Sequence, residues 1–136
     1  MNLHNTTRKE VGLGPVAWNE NIAAGARTWA NACGSDHSPD SIRMYNGILL
    51  GENLADGTEG YYDMNKLYVL WDEEKTAWTP GTKVGDEGDA VVGHYTQIVN
   101  KNVTEIGCAC SKGCKDGNRH CVCRYNPIQL TGDVPY

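Results

Sequence analysis

At 136 residues, with 40% apolar and 21% charged residues, the chain has the composition of one globular domain large enough to bury a hydrophobic core. A formal net charge of −5 argues against nucleic acid as a partner, because phosphate recognition needs a basic face, and it disfavours docking on anionic membranes. No apolar run approaches the length of a bilayer-spanning helix.

In chain order, Asn2 to Val11 reads as a short helix stopped by Gly12 and the Gly14-Pro15 pair. Trp18, Ile22, Ala26, Trp29, Ala30 and Cys33 then recur at three- and four-residue steps, which predicts an amphipathic helix ending at Gly34. From Ser35 to Gly60 the composition shifts to Gly, Ser, Asp and Pro, so His37 and Glu52 are expected on loops or a short turn. Met64, Leu67, Tyr68 and Trp71 share one face of a third helix, and Glu74 follows Trp71 at helical spacing. Thr79 to Gly93, with four glycines and a proline, reads as a loop. The remainder predicts strands over His94–Val99, Val103–Cys110 and His120–Tyr125. Helices followed by a meander indicate an α+β sandwich. Phenylalanine is absent, so Trp and Tyr must supply the aromatic packing, and their polar tips need partners.

Six cysteines in a chain of this size indicate an oxidising compartment. Cys33 stands apart, while Cys108, Cys110, Cys114, Cys121 and Cys123 crowd near the end. Three disulfides are the expectation. A zinc knuckle on Cys108-Ala109-Cys110 and Cys121-Val122-Cys123 is the alternative, disfavoured because C-x-C is a poor zinc clip. No signal peptide is visible, so the chain is expected to begin at a mature terminus. Asn5-Thr6-Thr7 and Asn102-Val103-Thr104 are glycosylation sequons.

Four ionisable residues could form one polar site: His37, Glu52, Glu74 and His94. Spacing alone does not bring them together. The motifs that carry them do so by resemblance: His37-Ser38, Gly51-Glu52-Asn53, Trp71-x-x-Glu74 and Gly93-His94-Tyr95-Thr96-Gln97. With His4-Asn5-x-x-Arg8 at the start and Cys123-Arg124-Tyr125-Asn126-Pro127 near the end, the chain resembles the CAP superfamily of cysteine-rich secretory, antigen 5 and pathogenesis-related class-one proteins. The resemblance spans nearly the whole chain and implies one domain over residues 1–136, a disulfide-stabilised three-layer α–β–α sandwich with a mainly antiparallel central sheet. It also implies that the two histidines and two glutamates meet in a cleft. His37 and His94 are then candidate ligands for a weakly held divalent cation such as zinc, and the glutamates either ligate or orient the imidazoles. The bland alternative is a self-satisfied polar network that ties helix, loop and sheet together. His4 is expected to be structural, and His120 to sit at a solvent-exposed strand end.

Three positions depart from the family pattern. Asn100 stands where tryptophan is usual, Arg124 replaces asparagine, and Pro127 to Tyr136 lacks a Gly-Asn pair. For the disulfides, the resemblance implies Cys33 with Cys108 and Cys114 with Cys123, leaving Cys110 with Cys121. Pairing Cys110 with Cys123 and Cys114 with Cys121 nests more naturally in a hairpin, and the sequence leaves the choice open.

The resemblance implies a secreted, extracellular, monomeric and non-enzymatic protein of defence or host interaction, akin to allergens, that binds a sterol or fatty acid or engages a protein receptor. Lipid capture would use an apolar groove between helices or beneath the Thr79–Gly93 loop, and the acidic, glycine-rich composition of that loop weakens the sterol expectation. A metal-dependent hydrolase, with Ser38 or Ser41 cast as nucleophile, is the enzymatic alternative, but no G-x-S-x-G elbow or H-E-x-x-H helix is present. A signalling peptide released as Pro127 to Tyr136 is a further alternative.

Overall fold

The computed structural model describes residues 1–136. Its elements in order are α1 (Asn2–Glu10), β1 (Ala17–Trp18), α2 (Glu20–Ala30), β2 (Met44–Tyr45), β3 (Ile48–Leu49), β4 (Gly51–Thr58), α3 (Met64–Asp72), α4 (Gly93–Ile98), β5 (Glu105–Cys110) and β6 (Asn118–Asn126). Single turns of 3₁₀ helix lie at Asp40–Ile42 and Glu73–Ala77. The main sheet runs β1-β5-β6-β4, antiparallel except for the short parallel β1–β5 pair. β2 and β3 form a separate hairpin.

Side-chain alternation along β6 divides the molecule into its layers. Val122 packs with Ala26 and Ala30 of α2 on one face. Cys123 and Tyr125 join Tyr68, Trp71, Tyr95 and Ile98 from α3 and α4 on the other. The architecture is therefore α+β with helices on both sides of a mainly antiparallel sheet. α2 is started by Asn19, whose side chain accepts from Asn21 N and Ile22 N, and α3 by Asp63, which accepts from Lys66 N.

α2 sits against the sheet with almost no clearance. A Cβ on Gly107 would lie 2.2 Å from Ala23 N and 2.8 Å from Ala23 Cα, both backbone atoms of α2. Gly107→Ala must therefore push the helix off the sheet. It is expected to lower unfolding free energy by about 3 kcal/mol, read from urea denaturation.

Three expected elements are corrected. The stretch His94–Val99 is not a strand: His94 to Ile98 lie in α4, whose Tyr95, Thr96, Gln97 and Ile98 are all buried, and Val99 follows its last turn. A short apolar run fits either state, and here a carboxylate from elsewhere in the chain caps the helix. Glu52 is not on a loop: β4 pairs with β6 along all eight of its residues, from Gly51↔Tyr125 to Thr58↔Asn118. Trp18 precedes α2 rather than opening it. It lies in β1 opposite Ile106 and is 39% exposed.

All six cysteines are bridged: Cys33–Cys114, Cys108–Cys123 and Cys110–Cys121. Cys33 does not pair with Cys108, nor Cys114 with Cys123 or Cys121, nor Cys110 with Cys123. The β5–β6 register is the reason, because it sets Cys108 opposite Cys123 and Cys110 opposite Cys121. Cys114, in the turn between the strands, then remains for Cys33 just beyond α2.

His4 is buried at 3% exposure and its Nε2 lies 2.8 Å from Tyr125 Oη. That hydroxyl already accepts from Asn53 Nδ2 at 3.1 Å, so it donates its own hydrogen to a neutral imidazole. Burial pushes the His4 pKa down to about 3. The unfolded chain takes up this proton near the ordinary histidine range and the folded one does not. Stability therefore falls as pH drops from about 6.5 towards 3, by on the order of 4 kcal/mol from this group. A pH series of urea midpoints should show that slope in the wild type and a flatter one in His4→Gln.

Nearby, Arg8 donates to Gly14 O, Ile98 O and Asn100 O at 2.9 Å each, tying α1 to the chain after α4. Asn100 is 1% exposed, and its Nδ2 donates to Asp133 at 2.9 Å. The tail is held further by Lys101 N to Pro135 O and by the Tyr95–Tyr136 hydroxyl pair. Pro135 is buried and Tyr136 half-buried, so the terminal Pro-Tyr is not exposed.

Candidate functional site

β4 is an edge strand of the main sheet, and the site straddles that edge. Glu52 lies directly opposite Arg124 of β6, which puts both side chains on one face. Its side chain has no solvent exposure. Four donors converge on it: His37 Nδ1 at 3.0 Å, Ser38 N at 2.9 Å and Ser38 Oγ at 2.6 Å, and Arg124 Nε at 3.0 Å. Burial by itself would raise the Glu52 pKa, but the bonds from Ser38, His37 and Arg124 outweigh it and hold the carboxyl below its usual range. Arg124 completes the cluster by donating to Ser38 Oγ at 3.0 Å and Ile42 O at 3.1 Å.

The second half comes from the turn after α3. Glu74 Oε1 lies 2.6 Å from His94 Nδ1, while Oε2 accepts from His94 N at 2.9 Å and Tyr95 N at 3.0 Å. One carboxylate thus orients the imidazole and satisfies the first N–H groups of α4. Trp71 stacks behind the ring, with centroids 6.0 Å apart and planes 15° from parallel. Asn53, the neighbour of Glu52, donates to His94 O at 3.0 Å and joins the two halves.

His37, Glu52 and His94 line one cleft of about 530 Å³, and Glu74 stands behind His94. Each imidazole has Nδ1 committed to a carboxylate, which leaves Nε2 as the atom free to ligate. The His37 side chain is 57% exposed and that of His94 34%. An imidazole Nε2 with water in the remaining positions is the donor set the cleft offers a divalent cation. Glu52 cannot ligate without abandoning its donors. Arg124 is the residue sequence reasoning undervalued. It was visible only as a departure from pattern, and its role follows from its place opposite Glu52.

Other candidates fall away on geometry. Ser38 Oγ is buried in contact with Glu52 and Arg124, where no imidazole can serve as its base. His120 is not at an exposed strand end but is 3% exposed, with Nε2 2.8 Å from Asp116. Two further groupings, His4 with Cys108 and Cys123 and His120 with Cys114 and Asp116, contain only disulfide sulfurs and so offer no thiolate. Asn5 spends its side chain on Val16 N and O, whereas Asn102 of the second sequon is exposed.

A second concavity of about 490 Å³ lies between the starts of α1 and α3 and the outer face of β5. Met1, Leu3, Trp18, Met64, Tyr68 and the strand Cys108–Cys110 make it mostly apolar.

This arrangement, helices on both faces of an antiparallel sheet with paired His–Glu couples at its edge, has relatives. The model of the cysteine-rich secretory protein family matches residues 1–125, and the chain belongs to that family. It is 32% identical to pathogenesis-related protein 1A of Nicotiana tabacum over 137 residues, covering 100% of this chain and 78% of that protein. It is 35% identical to venom allergen 5.02 of Dolichovespula maculata over 127 residues, 88% of this chain and 58% of the allergen. Among solved structures, NaASP2 with Zn²⁺ superposes with a TM-score of 0.85 at 22% identity, covering 99% of this chain and 81% of NaASP2.

Proposed function

We propose that this protein is a secreted, non-enzymatic binding module of the pathogenesis-related type whose principal ligand is a sterol or fatty acid. The observation that carries the reading is the apolar groove between α1 and α3. Its volume of about 490 Å³ lies in the range of small-ligand sites. By contrast, the cleft beside the Thr79–Gly93 loop is walled mainly by polar side chains. Three disulfides suit an oxidising, extracellular setting, and no helix is long and apolar enough to cross a membrane.

The test is equilibrium binding of fluorescent cholesterol and of a fluorescent fatty acid to the oxidised protein. Saturable binding in the micromolar range or tighter is expected for at least one of them. Leu3→Asp sets a charge in the groove while placing an acidic residue in the first turn of α1, where the helix dipole tolerates it. That variant should keep its fold and lose most of the binding. Failure of both lipids to bind would leave a protein receptor as the better target.

A second reading, a divalent-cation site at His37 and His94, is favoured by the two imidazoles whose Nδ1 atoms are locked by Glu52 and Glu74. Such locking fixes the tautomer and strengthens Nε2 as a ligand. NaASP2, a structural neighbour, was solved with Zn²⁺, which makes zinc the first ion to try. The buried Arg124 beside Glu52 reduces the negative charge available to hold a cation, so modest affinity is expected. Neither hydrolysis nor release of a C-terminal peptide gains support. Ser38 faces a carboxylate and a guanidinium, and the tail is fastened through Asp133, Pro135 and Tyr136.

A further inference from the structure

The fold treats the two sequons for N-linked sugar in opposite ways. Asn102-Val103-Thr104 lies in the turn that leads from α4 to β5. Val103 N donates to Asn100 O at 3.1 Å, which closes a β-turn with Lys101 and Asn102 at its two central positions. Asn100 braces that turn from inside. Its buried side chain accepts from Asn102 N at 2.9 Å through Oδ1 and donates to Asp133 at 2.9 Å through Nδ2. Val103 is buried and anchors the end of the turn. The backbone at Asn102 is therefore fixed, while its side chain stands exposed and makes no hydrogen bond to the rest of the chain. Thr104 is exposed too, and its hydroxyl makes one long contact, 3.4 Å to Asn126 O.

Asn5-Thr6-Thr7 has the same pattern and none of that freedom. Asn5 lies within α1, where its Oδ1 accepts from Val16 N at 2.9 Å and its Nδ2 donates to Val16 O at 3.3 Å. Val16 is buried, so a sugar on that nitrogen would have to enter between α1 and the segment before β1. The partner hydroxyl is committed as well: buried Thr7 donates to Asp72 at 2.9 Å and accepts from Tyr68 Oη at 2.8 Å. We propose that Asn102 carries a single N-linked glycan and that Asn5 carries none, a reading that rests on passage through the secretory route proposed above. In the transfer, Asn102 Nδ2 bonds to the anomeric carbon of a lipid-pyrophosphate-linked oligosaccharide. The bond from that carbon to the pyrophosphate oxygen breaks, the lipid pyrophosphate leaves, and the amide gives up one proton. The glycan stands beside the C-terminal tail, since Lys101 N donates to Pro135 O at 2.9 Å. It springs from neither ligand-sized concavity, because none of residues 101–104 lines the groove or the cleft.

The experiment is expression of the full chain behind an added signal peptide in a eukaryotic host, followed by peptide mapping. The sugar is released by an amidase in ¹⁸O water, which converts a glycosylated Asn into labelled Asp. Label at position 102 in most secreted molecules, and none at position 5, is expected. Asn102→Gln should be secreted without sugar and with an unchanged thermal midpoint, because the side chain it alters touches nothing. Thr104→Val should also lose the glycan, and Thr104→Ser should keep it, since a hydroxyl at that position is what the sequon requires. The proposal is overturned if the secreted wild type leaves Asn102 unmodified, if folded protein carries sugar at Asn5, or if Thr104→Val is glycosylated like the wild type. A chain that bears sugar at Asn102 but stays inside the cell supports the site and counts against the extracellular reading alone.

Discussion

Arg124→Ala is expected to lower the unfolding free energy by about 3–5 kcal/mol, a fall in thermal midpoint of roughly 10–20 °C. The guanidinium is 4% exposed and the Glu52 carboxylate it faces is fully buried, so removing one partner strands an uncompensated charge. Differential scanning calorimetry of Arg124→Ala against Glu52→Gln/Arg124→Gln isolates the cause. The double variant buries no lone charge and should be the more stable of the two; the reverse order would contradict this account. The pH dependence carries a definite sign. Hydrogen bonds lower the Glu52 pKa in the folded protein, so its contribution is complete above the ordinary carboxylate range and is lost as pH falls through the lowered value. Without Arg124 the carboxyl should protonate at higher pH, and acid unfolding should begin earlier.

If zinc binds at the proposed site, His94→Ala is expected to reduce its affinity roughly a hundredfold or more at neutral pH, measured by isothermal titration calorimetry, because one of the two proposed imidazole ligands is gone. Glu74→Gln keeps both histidines but weakens the grip on His94 Nδ1 and should cost about 10–100-fold. Zinc at the proposed site would compete with protons for each imidazole, so wild-type affinity is expected to fall as the pH is lowered. Equal affinity in the wild type and in His94→Ala would place the cation elsewhere.

How far the sequence discloses this molecule differs from element to element. Helices α2 and α3 are legible because their apolar residues recur at helical spacing. β4 is not, since a strand spelled Gly-Glu-Asn-Leu-Ala-Asp-Gly-Thr holds poor strand formers and exists through its pairing with β6. α4 is hidden for a related reason. Its N-terminus is satisfied by Glu74, twenty residues upstream, and no local pattern announces that cap. For the site, motif resemblance singled out the four residues, but periodicity could not show the division of labour, in which each glutamate serves one histidine. Nor could it show that Arg124 neutralises Glu52, because that contact arises from cross-strand register. Cysteine pairing followed the same rule: Cys108 and Cys110 bridge to whatever the β5–β6 ladder sets opposite them.

The groove and the cleft are different places with different chemistry, one floored by the Cys108–Cys110 strand and the other walled by histidines and amides. The central claim is that lipid occupies the first. Paramagnetic relaxation in NMR, with a fatty acid carrying a nitroxide near the end of its chain, tests it most directly. The account predicts that broadening is strongest at Leu3, Met64, Tyr68 and Ala109 and weaker at the amide of His94, with the effect absent in Leu3→Asp. Broadening centred on His94 and Gln97, or none at saturating lipid, would contradict it.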